Sequence, residues 1–152
     1  MVDLSYDVAV IEAGTAGLAA TRAARDAGAN TLLVDPEFAG TVCAQVGCMP
    51  SKLLIAAGKT AKAVACAERF GISVQATIDG RNVMKRMRNH RDGFIDGVND
   101  SIAELPDETK LRSKARFLEP GVLELNDGRR ISSAATVIAT GSDPRYPKPT
   151  SP

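Results

Sequence analysis

The sequence predicts an α/β domain, a parallel sheet with helices to which a small β-hairpin or meander is added. Three observations point there. Two short β-branched apolar runs flank an alanine-rich segment of helical length ahead of Pro36, a strand–helix–strand order with an expected right-handed crossover. A late run, Thr136 to Ala139 (TVIA), resembles the opening VAVI and is expected to rejoin the same sheet. Asn126-Asp127-Gly128 lies between short runs as a hairpin turn would.

In order along the chain, Tyr6 to Ile11 (YDVAVI) shows no helical gap pattern and reads as a buried parallel strand. A glycine-bearing turn leads to a helix from about Thr15 to Asp26, stopped by Gly28 in a C-capping position. Thr31 to Val34 is the second strand, ending in Asp35. From Phe38 to Met49 the chain reads as irregular, with Gly40, Gly47 and two cysteines. Pro50 suits the first turn of the next helix, where its missing N–H is no loss, and that helix is expected to end near Gly71. Another helix should follow Asp79 and run to about Leu105. Its Val83, Met87, Phe94, Val98, Ile102 and Leu105 form one stripe that should pack on the preceding helix. Lys114 to Leu118 and Val122 to Leu125 are short apolar runs before the Asn-Asp-Gly turn. Residues 1–143 are taken as one domain, and 144–152 (PRYPKPTSP), with four prolines in nine residues, as an extended linker.

A chain of 152 residues allows one ordinary domain or a large piece of a longer enzyme. Lys+Arg 19 against Asp+Glu 18 removes the main electrostatic argument for nucleic acid or an anionic membrane as partner. Hydrophobic residues at 44% exclude wholesale disorder. Three cysteines are too few for a secreted disulfide framework, and neither a transmembrane run nor a signal peptide is recognisable. The expectation is a soluble cytoplasmic protein.

Three features carry chemistry. The first is the turn Glu12-Ala13-Gly14-Thr15-Ala16-Gly17. A dinucleotide-binding turn uses G-x-G-x-x-G: one glycine for the tight bend, one for backbone approach to a pyrophosphate, one for helix–strand packing. Gly14 and Gly17 hold the second and third places, and Glu12 holds the first. Asp35 lies where an acidic side chain takes a ribose hydroxyl pair. The other reading is a βα turn that merely happens to be rich in small residues. Glu12 in the tight-turn place implies a strained backbone, at about 1–3 kcal/mol if the turn is kept. Its carboxylate is expected to repel a pyrophosphate and weaken dinucleotide binding.

The second feature is Cys43-x4-Cys48 followed by Met49-Pro50-Ser51-Lys52. A thiolate at a helix N-terminus near a cation is stabilised and reactive, and two cysteines closing a small ring can alternate between dithiol and disulfide. Buried inert cysteines and half of a metal site are the competing readings. With His90 the single histidine and Cys66 the sole other thiol, a four-ligand metal site is poorly supplied. Cys66 reads as a small core residue.

The third is Ala139-Thr140-Gly141-Ser142, a small-residue exit from the last strand, where ligands of doubly wound sheets collect. Arg81, Lys85, Arg86, Arg88 and Arg91 read as a solvated helix face, without the interleaved aromatics of a nucleic-acid site. His90 has no partner by spacing and is not taken as catalytic.

Together DVAVIEAGTAG, GTVCAQVGCMPSK and TVIATGSDP, in that order, resemble the flavin-binding N-terminal part of the pyridine nucleotide-disulfide oxidoreductases, and within them most resemble the dihydrolipoamide dehydrogenase group. The resemblance implies a Rossmann-like FAD-binding domain and FAD as cofactor. It assigns the glycine turn (Gly14, Ala16, Gly17) and Gly40, Thr41 and Val42 to the cofactor's phosphates, and Asp35 to the adenosine ribose. Lys52 would lie near the flavin ring, Ala115 would meet the adenine, and Thr140 and Gly141 would line the cofactor. Cys43 and Cys48 would be the redox-active disulfide, with Cys48 facing the flavin and Cys43 exchanging with a dithiol substrate such as lipoamide. NAD(P)H would be co-substrate; no metal, nucleic acid or membrane is implied. Departures from the pattern are Glu12 for the first glycine, Val42 for a usual threonine and Gln45 for a common asparagine. The family's nicotinamide and dimerisation domains, and the catalytic histidine of the latter, have no counterpart in these residues. On that ground the isolated chain is expected to be inactive in NAD-linked turnover.

Overall fold

The computed structural model describes residues 4–143; the expected linker, 144–152, lies outside them. The described residues form two compact units, one of residues 4–36 and 111–143 and one of residues 37–110.

The first unit is built on strand β1 (Leu4–Ile11), helix α1 (Thr15–Asp26) and strand β2 (Thr31–Asp35). The bounds of α1 match the expected ones, and Gly28 closes it in the left-handed region at φ 81°. After the second unit come β3 (Lys110–Arg112), β4 (Ala115–Glu119), β5 (Val122–Leu125) and β6 (Arg130–Ile138). The six strands form one sheet in the order β3-β2-β1-β6-β5-β4. β1 is parallel to both β2 and β6, whereas β6-β5-β4 is an antiparallel meander. This is the α/β sheet with added meander that the sequence predicts.

TVIA is not a separate strand. Its first three residues, 136–138, are the end of a nine-residue β6 whose start forms the hairpin with β5 (Leu123 opposite Ile131) and whose length pairs with β1 from Leu4–Ile131 to Ile11–Ile138. The polar stretch Ser132-Ser133 hides this continuity, because its strand conformation is imposed by neighbours on both sides rather than by its own apolarity.

Alternation within the strands places Ala9, Ile11, Leu32 and Val34 in one apolar cluster with Leu123, Leu125 and Ile131. Val10 and Leu33 point the other way and are equally buried, as expected of strands covered on both faces. Each such Leu, Ile or Val stabilises the fold by about 1.5–3 kcal/mol. Helix α1 packs on β1, β2 and β6 and buries Gly17, Leu18 and Thr21.

The second unit is helical. The region expected to be irregular holds a single turn, α2 (Val42–Gln45), because Thr41 caps it: its Oγ1 accepts from Ala44 N–H at 3.2 Å. Helix α3 (Cys48–Ala65) begins two residues before Pro50, with Gly47 as its N-cap. It stops six residues short of Gly71, and a 3-10 turn, Ala67–Phe70, completes the distance to that left-handed glycine. Helix α4 (Gly80–Ala103) starts where expected, since Asp79 Oδ1 accepts from the Arg81 and Asn82 N–H groups at 2.9 and 3.1 Å. It packs on α3, and Met87, Ile102 and Leu105 of its stripe are buried. Phe94 in mid-stripe is 39% exposed, so the stripe is covered at its ends and open in the middle. Among the described residues no helix is long and apolar enough to cross a membrane.

Candidate functional site

In the first unit the chemistry gathers at the carboxyl ends of β1, β2 and β6. The bend after β1 requires a left-handed residue, and Glu12 supplies it at φ 76°. That is a sparsely populated conformation for a residue with a Cβ. Three contacts impose it. The Glu12 N–H donates to the Val34 carbonyl at 2.8 Å. The next amide, of buried Ala13, donates to Asp35 Oδ2 at 2.8 Å. The Glu12 carbonyl occupies the room left at Gly17, where a Cβ would stand 1.8 Å from that oxygen and 3.4 Å from the Ala139 Cβ. Gly17 is therefore the helix-packing glycine of the motif. Gly14 is less confined, its nearest neighbour for a Cβ being the Ala139 carbonyl at 3.9 Å.

Gly14 is also the N-cap of α1, with no side-chain cap, and the first amide to find a helical acceptor is that of Leu18, on the Gly14 carbonyl. The amides of Thr15, Ala16 and Gly17 precede it at the positive end of the helix, an arrangement suited to an anion. Ala139 donates to the Ile11 carbonyl at 3.0 Å, which sets the β6 exit against the turn, and Gly141 follows in the left-handed region at φ 74°. Ser113 donates to the Asp35 carbonyl at 3.2 Å, so the chain leading into Ala115 passes the end of β2. The structure thus brings together Gly14, Ala16, Gly17, Asp35, Thr140, Gly141 and the approach to Ala115. The tie between Asp35 and the Ala13 amide escapes sequence reasoning, because nothing local links residues so far apart in the chain.

The second unit carries the cysteines. Cys43 and Cys48 form a disulfide with Cα atoms 4.9 Å apart. The loop between them closes because the Val46 and Gly47 amides both donate to the Val42 carbonyl, at 3.0 and 2.9 Å. A Cβ on Gly47 would stand 3.0 Å from that same oxygen, so Gly47 is part of the closure, a role that sequence reasoning missed. Cys48 is the first residue of the 18-residue α3 and is exposed, whereas Cys43 is half-buried in α2. Lys52 is exposed in the same opening stretch of α3. Gly40 lies in the left-handed region at φ 90°, Thr41 is buried as the α2 cap, and Val42 is 72% exposed.

Cys66 is not a core residue. It is a half-buried free thiol that ends α3 as its C-cap. His90 and most of the α4 cations are exposed, with Arg91 paired to Asp92 at 2.7 Å. Among the described residues no group of three or more His, Cys, Asp or Glu gathers as a metal site.

Known proteins resemble this chain over nearly its whole length. A family model described as pyridine nucleotide-disulphide oxidoreductase matches residues 6–151. The chain is 32% identical to a dihydrolipoyl dehydrogenase of Mycoplasma pneumoniae over 145 residues, covering 94% of this chain and 31% of that one. It is 34% identical to one of Thermus scotoductus, covering 92% and 30%. It is also 34% identical to one of Mycobacterium bovis, covering 92% and 31%. The chain spans about a third of the length of these relatives.

Proposed function

The chain belongs to the pyridine nucleotide-disulphide oxidoreductase family, and on that premise we propose that it serves flavin-linked dithiol–disulfide exchange as the FAD-holding part of a dihydrolipoyl dehydrogenase-like enzyme. The observation that carries the reading is the Cys43–Cys48 disulfide with Cys48 opening a long helix.

The first unit fits the cofactor's nucleotide end. The close approach at Gly17 keeps the bend tight, and the α1 amides and small-residue turn suit a pyrophosphate. Asp35, steadied by the Ala13 amide, would take the ribose; Ala115 would meet the adenine, and Thr140 and Gly141 would line the cofactor. The family resemblance assigns Gly40, Thr41, Val42 and Lys52 to the same molecule. When bound, FAD would accept or return the electron pair, with NAD(P)H as the outside partner.

The protein's own step is thiol exchange. A substrate thiolate, from a dithiol such as dihydrolipoamide, attacks Cys43 Sγ; the Cys43–Cys48 bond breaks and Cys48 leaves as a thiolate. The second substrate thiolate then attacks its own sulfur in the mixed disulfide and releases the Cys43 thiolate. The substrate has become a cyclic disulfide, and the protein holds two thiols and the electron pair. Cys48 is suited to leave because the positive end of α3 and nearby Lys52 favour its anion. A reducing compartment such as the cytoplasm suits such chemistry.

The test is optical. The purified chain incubated with FAD should retain a flavin spectrum that changes on anaerobic addition of dihydrolipoamide, and Cys43→Ser and Cys48→Ser should abolish the change. A second reading, a nucleotide-binding module without catalysis, is favoured by Glu12 at the bend; it predicts a chain that retains no flavin, or a bound flavin indifferent to dithiols.

A further inference from the structure

We propose that Glu12 sets the affinity of the β1–α1 turn for its dinucleotide, lowering it through the charge of its carboxylate and not through loss of the turn. The inference rests on the flavin reading above and concerns a residue on which that reading makes no demand.

The bend has kept the form a glycine would give it. Glu12 stands at φ 76°, and the backbone on either side is held by the Glu12–Val34 and Ala13–Asp35 hydrogen bonds. The Glu12 carbonyl fills the space that Gly17 leaves open. A strained residue persists only where its surroundings over-determine it, and these contacts do so. The departure from glycine is therefore expressed in the side chain. Glu12 is half-buried, and among the described residues neither Lys nor Arg pairs with its carboxylate. The α1 amides that would attract a pyrophosphate begin three residues further on. A doubly negative pyrophosphate held by those amides would share the turn with this like charge, and a weakening on the order of tenfold in Kd is the expected size of such a repulsion. Such repulsion is screened by salt, whereas backbone strain is not.

The experiment compares FAD binding to the full chain, Glu12→Gln and Glu12→Gly by equilibrium dialysis, read by flavin absorbance. Glu12→Gln removes the charge and keeps the strain; Glu12→Gly removes both. At low ionic strength Glu12→Gln should bind roughly tenfold tighter than the parent, and the gap should narrow at about 0.5 M salt, where the Debye length falls to a few ångströms. Glu12→Gly should bind at least as tightly as Glu12→Gln. Equal affinities of parent and Glu12→Gln would overturn the proposal and leave the flavin reading standing, as would a gain confined to Glu12→Gly, which would make strain the cause. Failure of all three proteins to bind FAD would overturn the flavin reading and this inference with it.

Discussion

The carbonyl oxygen of Glu12 lies 1.8 Å from the point where a Cβ on residue 17 would stand, so left-handed Glu12 and bare Gly17 are two halves of one turn. Gly17→Ala must displace backbone rather than a flexible side-chain end. A loss of about 3 kcal/mol is expected by urea unfolding, at the upper end of overpacking effects. Gly14→Ala, with its nearest contact at 3.9 Å, should change stability by less than about 1 kcal/mol. Equal effects at the two positions would show that close approach does not govern the turn.

Asp35→Ala strips the partner from the N–H of Ala13, which is 1% exposed. An unsatisfied buried amide costs about 1–3 kcal/mol, and urea unfolding should show a loss in that range. Asp35→Asn keeps an acceptor and should lose less.

Thr21 is fully buried on the inner side of α1, and its Oγ1 has no hydrogen-bond partner among the described residues. Thr21→Val keeps the branched shape and removes the hydroxyl, so a gain of about 1 kcal/mol is expected. A lower unfolding midpoint would reveal a partner for the hydroxyl in solution.

With Cys43 and Cys48 joined, the denatured, unreduced chain should titrate one thiol, that of Cys66, and all three cysteines after reduction. Cys43→Ser should raise the unreduced count to two by freeing Cys48. Three thiols in a chain purified without reductant would mean that the pair is open.

Asp127, in the β5–β6 hairpin turn, has its carboxyl held below the ordinary aspartate range, first by the Arg129 backbone N–H and then by the Arg129 side chain. A carboxylate lowered by folding contributes stability above its unfolded value, and that contribution is lost as pH falls through the lower folded value. The group is exposed, so the effect on global stability is slight. A site-resolved NMR titration should place its midpoint below that of an unstructured aspartate, and Arg129→Ala should bring it back up.

Where local rules act, the sequence was readable. Gly28, Asp79 and the Asn126–Gly128 turn each punctuate the chain through their own backbone chemistry; α1, the start of α4 and β5 match expectation, whereas β6 begins six residues before the expected Thr136. The β1–α1 turn was legible for the same reason, down to the strained left-handed backbone at Glu12. What stayed hidden depends on neighbours distant in sequence. The three-residue β3 is too short to signal itself and exists beside β2. The exposure of Phe94 depends on what α3 covers. In the cysteine loop the motif was plain, but the helical start at Cys48 and the tight fit of Gly47 against the Val42 carbonyl emerge only when the loop is closed.

The pairing of β1 with β6 also bears on how the chain is made. Leu4 sits opposite Ile131, so the first described strand to leave the ribosome finds one of its two neighbours only after the last has emerged. Until then β1 has β2 alone, and one long edge of a very apolar strand stands open to other chains. The helical residues 37–110, by contrast, form a compact unit with its own internal contacts and can fold during the wait. A nascent chain stalled before β6 should therefore be a far better client for chaperones than one stalled just after it.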